Sequence, residues 1–211
     1  MIYSIKKPVT ILSMDEARAK YIAAIIEMFI LFCVAGYLIS KYLAKYYLVE
    51  VNKDFRKNRQ NPGFAFASGL ATMGTLFQML KPGDHVIINH DVYGGSFRLL
   101  DKIRRLSQGI QYTSVDLTQH DQIESKIQSN TKMIWLETPS NPLLQCVDLS
   151  FISQLAKAHQ IITVCDNTFA SPILQRPLEH DIDIVMHSAT KYIGGHSDVT
   201  AGVAITNSTS L

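Results

Sequence analysis

The chain has 211 residues, 47% of them hydrophobic and 18% charged, with a net charge of +2. That length suits one large domain or one and a half, and so small a charge, with its Lys and Arg scattered, argues against a nucleic-acid partner. The three cysteines, Cys33, Cys146 and Cys165, have neither metal-ligand spacing nor a pairable framework, which fits a reducing compartment and a cytoplasmic location.

Residues 1–62 read as an atypical N-terminal segment. From Tyr21 to Ile39 they are almost wholly apolar, with Glu27 the one charge inside the run and Lys20, Lys41 and Lys45 outside it. The run is long enough to cross a bilayer as a helix, but it starts too late and lacks a cleavage-like end for a signal peptide. Glu27 counts against a span, because a central carboxylate costs about 2–3 kcal/mol on insertion. Two readings stand: a helix packed on the domain or on a second subunit, and a membrane anchor through residues 21–39. Ala24, Met28, Leu31, Ala35 and Leu38 would share one helical face, but the neighbours are too apolar for periodicity to decide.

From Gly63 onward, apolar runs alternate with helix-like segments. Gly63 to Ala67 reads as a short strand and Ser68 to Leu80 as a helix, stopped by the turn residues Lys81, Pro82, Gly83 and Asp84. His85 to Asn89 is the next strand, and Ser96 to Leu106 carries Phe97, Leu100, Ile103 and Leu106 at helical spacing. A strand over Ile110 to Val115 follows, with Asp116 and Thr118 as cap candidates for a helix holding Ile123 and Ile127. Lys132 to Leu136, Ile161 to Cys165, Ile182 to His187 and Ala201 to Thr206 read as strands, and Leu149 to His159 as a helix. This alternation predicts an α/β fold: an open, mostly parallel sheet with helices on both faces, spanning residues 63–211.

In such sheets ligands bind outside the carboxyl ends of the strands. Here those ends carry Ser68-Gly69, then Asp91 to Gly95, then Glu137 to Pro142, then Asp166-Asn167-Thr168, then Ser188 to Lys191. A lysine just past a buried strand can be desolvated, which makes its amine a nucleophile toward an aldehyde. Lys191 for an imine, hydroxyls for a phosphate and Asp166 for a ring nitrogen are the parts a pyridoxal phosphate (PLP) site needs.

Each piece also has a bland reading. Ser68 could merely cap a helix, whereas the functional reading uses the free N–H groups near Gly69 and Leu70 for a phosphate. Tyr93 could shield the core or stack on a planar cofactor. Asn141, between Ser140 and Pro142, could be turn chemistry. Lys191 could be a solvated surface lysine, and Cys165 a small core residue. His187 and His196 have no acidic partner at ligand spacing and read as structural. Taken jointly, at successive strand ends, the residues favour a cofactor site.

The stretches FASGLATMG, LKPGDHVIINHDVYGGSFRLLDKI, ETPSNPLLQCVDL, VCDNTFASPILQRPL and HSATKYIGGHSDVTAG cover roughly residues 63–206 in order. They resemble the Cys/Met-metabolism family of PLP enzymes, with its cystathionine γ-synthases, cystathionine β- and γ-lyases and methionine γ-lyases. The γ-synthase and γ-lyase branches look nearest, though this stretch does not separate them. The resemblance implies the large domain of a PLP-dependent transferase of the aspartate aminotransferase type.

The same resemblance implies that Lys191 forms the internal Schiff base and that Asp166 pairs with the pyridine nitrogen. Gly69, the Leu70 amide, Ser188 and Thr190 would hold the phosphate. Tyr93 would stack on the ring and assist proton transfer or leaving-group departure. Asn141 would lie near the cofactor's phenolic oxygen or the substrate, and Glu137 is a weaker carry-over.

The implied activity is transsulfuration, C–S bond formation or cleavage at the β or γ carbon of cystathionine, a homoserine ester or cysteine. A homo-oligomer follows if the family's dimer is kept. The family's tyrosine–arginine motif has only a misspaced echo in Arg56, Arg59, Asn61 and Pro62, and the likeness does not reach the smaller C-terminal domain that supplies an arginine for the substrate carboxylate. The alternative expectation is therefore a truncated, catalytically weak or inactive PLP-binding protein or subunit partner.

Overall fold

The computed structural model describes residues 63–208. The apolar run 21–39 and the Arg56–Pro62 echo lie outside them. Among the described residues no helix is long and apolar enough to cross a membrane.

The chain order begins with β1 (Gly63–Phe66), α1 (Gly69–Leu76) and β2 (His85–Asn89). Helix α2 (Gly94–Arg98) runs through a π-helical stretch (Leu99–Arg104) into α3 (Arg105–Gln108). Then come β3 (Gln111–Val115), α4 (His120–Ile123), β4 (Thr131–Glu137) and α5 (Leu149–His159). The series closes with β5 (Ile162–Asp166), α6 (Ser171–Leu174), β6 (Ile184–His187) and β7 (Gly202–Thr206).

The strands form one seven-stranded sheet in the order β1-β7-β6-β5-β4-β2-β3. Strands β2 to β6 pair in parallel, and β7 returns antiparallel between β6 and β1. Because β1 is antiparallel to β7, and β7 to β6, β1 points the same way as the parallel strands. The carboxyl ends of β1, β2, β4, β5 and β6 thus share one edge, with the start of β7 beside them.

Strand side chains alternate between faces, so a sheet covered on both sides needs apolar residues on both. One face packs Val86, Ile88, Trp135, Val164, Ile184 and Met186 against Met73, Phe77 and Leu100 from the α1 and α2 side. The opposite face packs Ile87, Ile134, Leu136, Cys165 and Val185 against Ile123, Leu149, Ile152 and Ala156 from α4 and α5. Cys165 is a buried core residue, and burial raises its thiol pKa well above the usual range, which leaves it an inert thiol.

Helix α5 forms where expected. Asp148 caps it, its carboxylate accepting the Phe151 N–H at 3.0 Å, and Gln160 closes it in the left-handed region at φ 56°. The expected helix after β3 needs a correction. Asp116 and Thr118 do not cap it: Asp116 accepts the Thr118 N–H at 3.0 Å and its hydroxyl at 2.7 Å, forming a local turn. Helix α4 starts only at His120, without a side-chain cap, and Ile127 lies beyond it.

Candidate active site

After β2 the chain steps outward to β3, then returns across β2 to β4 and continues the other way. The carboxyl ends of β2 and β4 therefore flank a topological switch point, where the connections diverge and leave a crevice. The β2 end leads to Asp91 and Tyr93, the β4 end is Glu137, and β5 ends beside it in Asp166.

The start of α1 reaches this edge from the β1 side. Ser68 accepts the Ala71 N–H at 3.0 Å, so the capping reading of this serine holds. The N–H groups of Gly69 and Leu70 precede any intrahelical acceptor and have no partner among the described residues. A methyl group on Gly69 would lie 2.7 Å from Ser188 Cβ and 3.0 Å from its Oγ, so glycine is what lets the helix start close onto the β6 end. The Ser188 N–H donates to Thr168 Oγ1 at 2.8 Å. The Thr190 hydroxyl donates to the Ala201 carbonyl at 3.2 Å and accepts the Ala201 N–H at 3.0 Å, tying the β6 end to the start of β7.

Asp166 and Glu137 are only 7% and 5% exposed. They are aligned in the parallel β4–β5 register and lie on the same face of the sheet. Asp166 Oδ1 accepts the Thr168 N–H at 3.0 Å and its hydroxyl at 2.5 Å. Burial raises the Asp166 carboxyl, and the Thr168 donors work the other way. Burial and then the Asp166 charge push Glu137 up to about 8, opposed by main-chain N–H groups of Tyr93 and Asn141. Behind them, buried Asp91 accepts the Ser140 hydroxyl and the Leu143 N–H, the latter at 3.0 Å, holding the loop that carries Asn141.

Tyr93 sits at the start of α2, 45% exposed, with its N–H donated to Glu137 Oε2 at 2.9 Å. Its ring lies over Gly95, where a methyl group would meet it at Cε1 and Cζ. Asn141 is half-buried in the loop after β4. Lys191 is exposed in the turn after β6, its N–H donated to the Ser188 carbonyl at 3.0 Å and its carbonyl accepting the Gly195 N–H at 2.7 Å. The expected desolvation of this lysine is therefore not a property of the strand end itself.

His187, the last residue of β6, is buried with Nδ1 unpartnered among the described residues. Burial lowers its imidazole to about 4, with the Asn167 main chain opposing. Between its unfolded value near 6.5 and about 4, the unfolded chain binds a proton that the folded one refuses, so stability falls as pH falls through that window. The full effect is on the order of 3 kcal/mol. His187→Asn is expected to flatten the acid limb of a plot of urea midpoint against pH; an unchanged limb would assign the acid sensitivity to other groups. Buried His85 also has a lowered pKa and adds to that limb.

Residues 57–211 match the family described as Cys/Met metabolism PLP-dependent enzyme. The chain belongs to this family. The cystathionine beta-lyase of Coxiella burnetii is 53% identical over 143 residues, covering 68% of this chain and 37% of that enzyme. The cystathionine gamma-synthase of Mycobacterium leprae is 51% identical over 148 residues, covering 70% and 38%. The crystal structure of cystathionine gamma-lyase from Lactobacillus plantarum complexed with L-serine superposes with a TM-score of 0.69 at 48% identity, over 70% of this chain and 39% of that one. The chain thus spans less than two fifths of the length of each of these relatives.

The Cys/Met-metabolism site meets what PLP demands of this edge. The α1 start is a cradle of free N–H groups that a single methyl would fill, and a buried acceptor-only group stands at the end of β5. Sequence reading put Thr168 in the cluster after β5 but gave it no role, although it holds Asp166 and braces Ser188. Its only sequence signal is a position two residues past Asp166, the spacing of an Asx turn. Asp91 and Ser140 stood in the strand-end clusters, but their pairing across 49 positions was not legible in the sequence.

Proposed function

We propose that this chain binds pyridoxal phosphate at the carboxyl edge of its sheet and serves a transsulfuration reaction, making or breaking a C–S bond at the β or γ carbon of a sulfur amino acid. The observation that carries this reading is the buried carboxylate of Asp166 on the same edge as Lys191 and the open start of α1, in a chain of this family. PLP, when bound, supplies an aldehyde for amines and an electron-withdrawing ring that acidifies the substrate's Cα–H bond.

The chain's residues then have distinct tasks. The N–H groups of Gly69 and Leu70 and the Ser188 hydroxyl would hold the phosphate at the helix start, joined by the Thr190 hydroxyl once it turns from the Ala201 carbonyl. Asp166 keeps a proton on the ring nitrogen through a charge-assisted hydrogen bond. The Lys191 amine would anchor the cofactor, and when free would serve as the general base that takes the proton from the substrate's Cα. Tyr93 would stack on the ring, and Asn141 would lie near its phenolic oxygen or the substrate. The relatives named as cystathionine lyases and synthases support cystathionine as the substrate or product, with a homoserine ester or cysteine and a homo-oligomer as further parts of the proposal.

The test supplies the purified chain and PLP with cystathionine, or with an O-acylhomoserine plus cysteine. Keto acid, ammonia and cystathionine are then measured. Product in either arm is the expected result, and bound PLP without product from any substrate would defeat the catalytic reading.

Gly69→Ala addresses the phosphate cradle. A methyl group 2.7 Å from Ser188 Cβ must push α1 off the β6 end. The expected cost is about 1–3 kcal/mol of stability by urea unfolding. A loss of PLP affinity of about tenfold or more in a fluorescence titration is also expected. Unchanged affinity would move the phosphate elsewhere.

A further inference from the structure

Glu137 was a minor member of the expected site, yet it touches more of the machinery than its position suggests. It ends β4 at the switch point, is buried beside Asp166 in strand register, and accepts the Tyr93 N–H at 2.9 Å. Neighbouring strands are about 4.8 Å apart, so same-face carboxyls at aligned positions face each other with little room for two charges. The groups around them break the tie. Asp166 takes an N–H and a hydroxyl from Thr168, and both favour its anion. Glu137 takes main-chain N–H groups alone and has Asp91 as a further acidic neighbour.

We propose that Glu137 is a positioning residue that carries the proton of this carboxyl pair, leaving the negative charge on Asp166, and that fixes the Tyr93 main chain with the same group. The inference rests on the PLP reading for its purpose and on this chain's own contacts for its substance. A second anion beside Asp166 would raise the ring-nitrogen proton's affinity and loosen control of it. A neutral acid leaves one carboxylate to set that proton. The same carboxyl anchors Tyr93 across the switch point, so a single residue couples the ring's charge to its cover. The titratable groups acting on Glu137 are Asp166 from β5 and Asp91 from the loop after β2, and Cys165 on the other face feels both strand-end carboxyls.

The experiment needs no cofactor in its first arm. Glu137 has a folded value of about 8 against 4.5 for the ordinary group, so the folded chain holds a proton that the unfolded one has lost, and stability falls as pH rises through that interval. Glu137→Gln keeps an acceptor for Tyr93 and cannot ionise. Its Tm advantage over the parent is expected to grow by about 5 °C or more between about pH 5 and pH 8. In an Asp166→Asn background the advantage should shrink and its midpoint fall below 8. An advantage independent of pH, or untouched by Asp166→Asn, overturns the proposal.

The second arm adds PLP. Glu137→Gln should lose the alkaline limb of the visible absorbance titration while keeping PLP affinity within about threefold. Glu137→Ala, which frees Tyr93, should weaken affinity about tenfold and lower the induced circular dichroism of the bound ring. Identical spectra for parent, Gln and Ala variants overturn the link to the cofactor. If the first arm succeeds and Lys191 takes no PLP label in the parent, the PLP reading has failed while the proton assignment stands.

Discussion

Replacing Lys191 by alanine is expected to abolish the borohydride-reducible PLP label and to cut turnover by about 10²–10⁴-fold, the range of a positioned proton-transfer group. The chain has 13 lysines, and surface lysines react with PLP nonspecifically, so the position of the label decides the matter. Peptide mass spectrometry of the parent should place it at Lys191 in the turn after β6, near the Ser188 carbonyl that takes its N–H. Its exposed side chain gives free access to an aldehyde, and bound PLP itself would cover it. Lys191→Arg separates charge from nucleophilicity, since a guanidinium keeps the charge without a usable amine. It should bind PLP without reducible label and remain as inactive as the alanine variant. A parent labelled elsewhere, or an alanine variant of full activity, would sink the assignment.

Asp166→Asn is expected to make the chain more stable and less active. The carboxyl is buried at the end of β5, and burial raises its pKa. Above its folded pKa, ionisation therefore destabilises the fold, and below its unfolded pKa the effect vanishes. An asparagine oxygen can still accept the Thr168 N–H and hydroxyl, so the amide keeps the local turn and drops the charge. A Tm gain of about 2–4 °C near neutral pH, fading in acid, is the expected signature. The loss of a preorganised charge facing the ring nitrogen should lower turnover by about 10²–10³-fold. Stability exchanged for function is common at such sites. A variant that is both less stable and fully active would show that Asp166 is a structural carboxylate only.

Much of this arrangement was legible along the chain. The strands declared themselves as short apolar runs, and α5 forms over Leu149–His159 where a helix was expected. The polar clusters that follow the strands marked the site edge before any contact was known. The failures share a cause. Asp116 and Thr118 looked like caps because both are cap residues, but they satisfied one another within a turn, which local composition cannot distinguish. The short helix α6 left no periodicity to read. Lys191 was read as a lysine that a buried strand end could desolvate, yet its side chain is exposed in the turn after β6.

Residue types and their spacing therefore determined which segments are extended, which are helical and which polar groups follow each strand, because those choices are made over a few neighbouring residues. Strand order, direction and register were decided only in the folded chain. They arise from pairings between distant segments, and they alone set Glu137 beside Asp166, Gly69 against Ser188 and Tyr93 onto a carboxyl 44 positions away. Loop-closure entropy and two-sided packing select one such arrangement from many that satisfy the same local pattern.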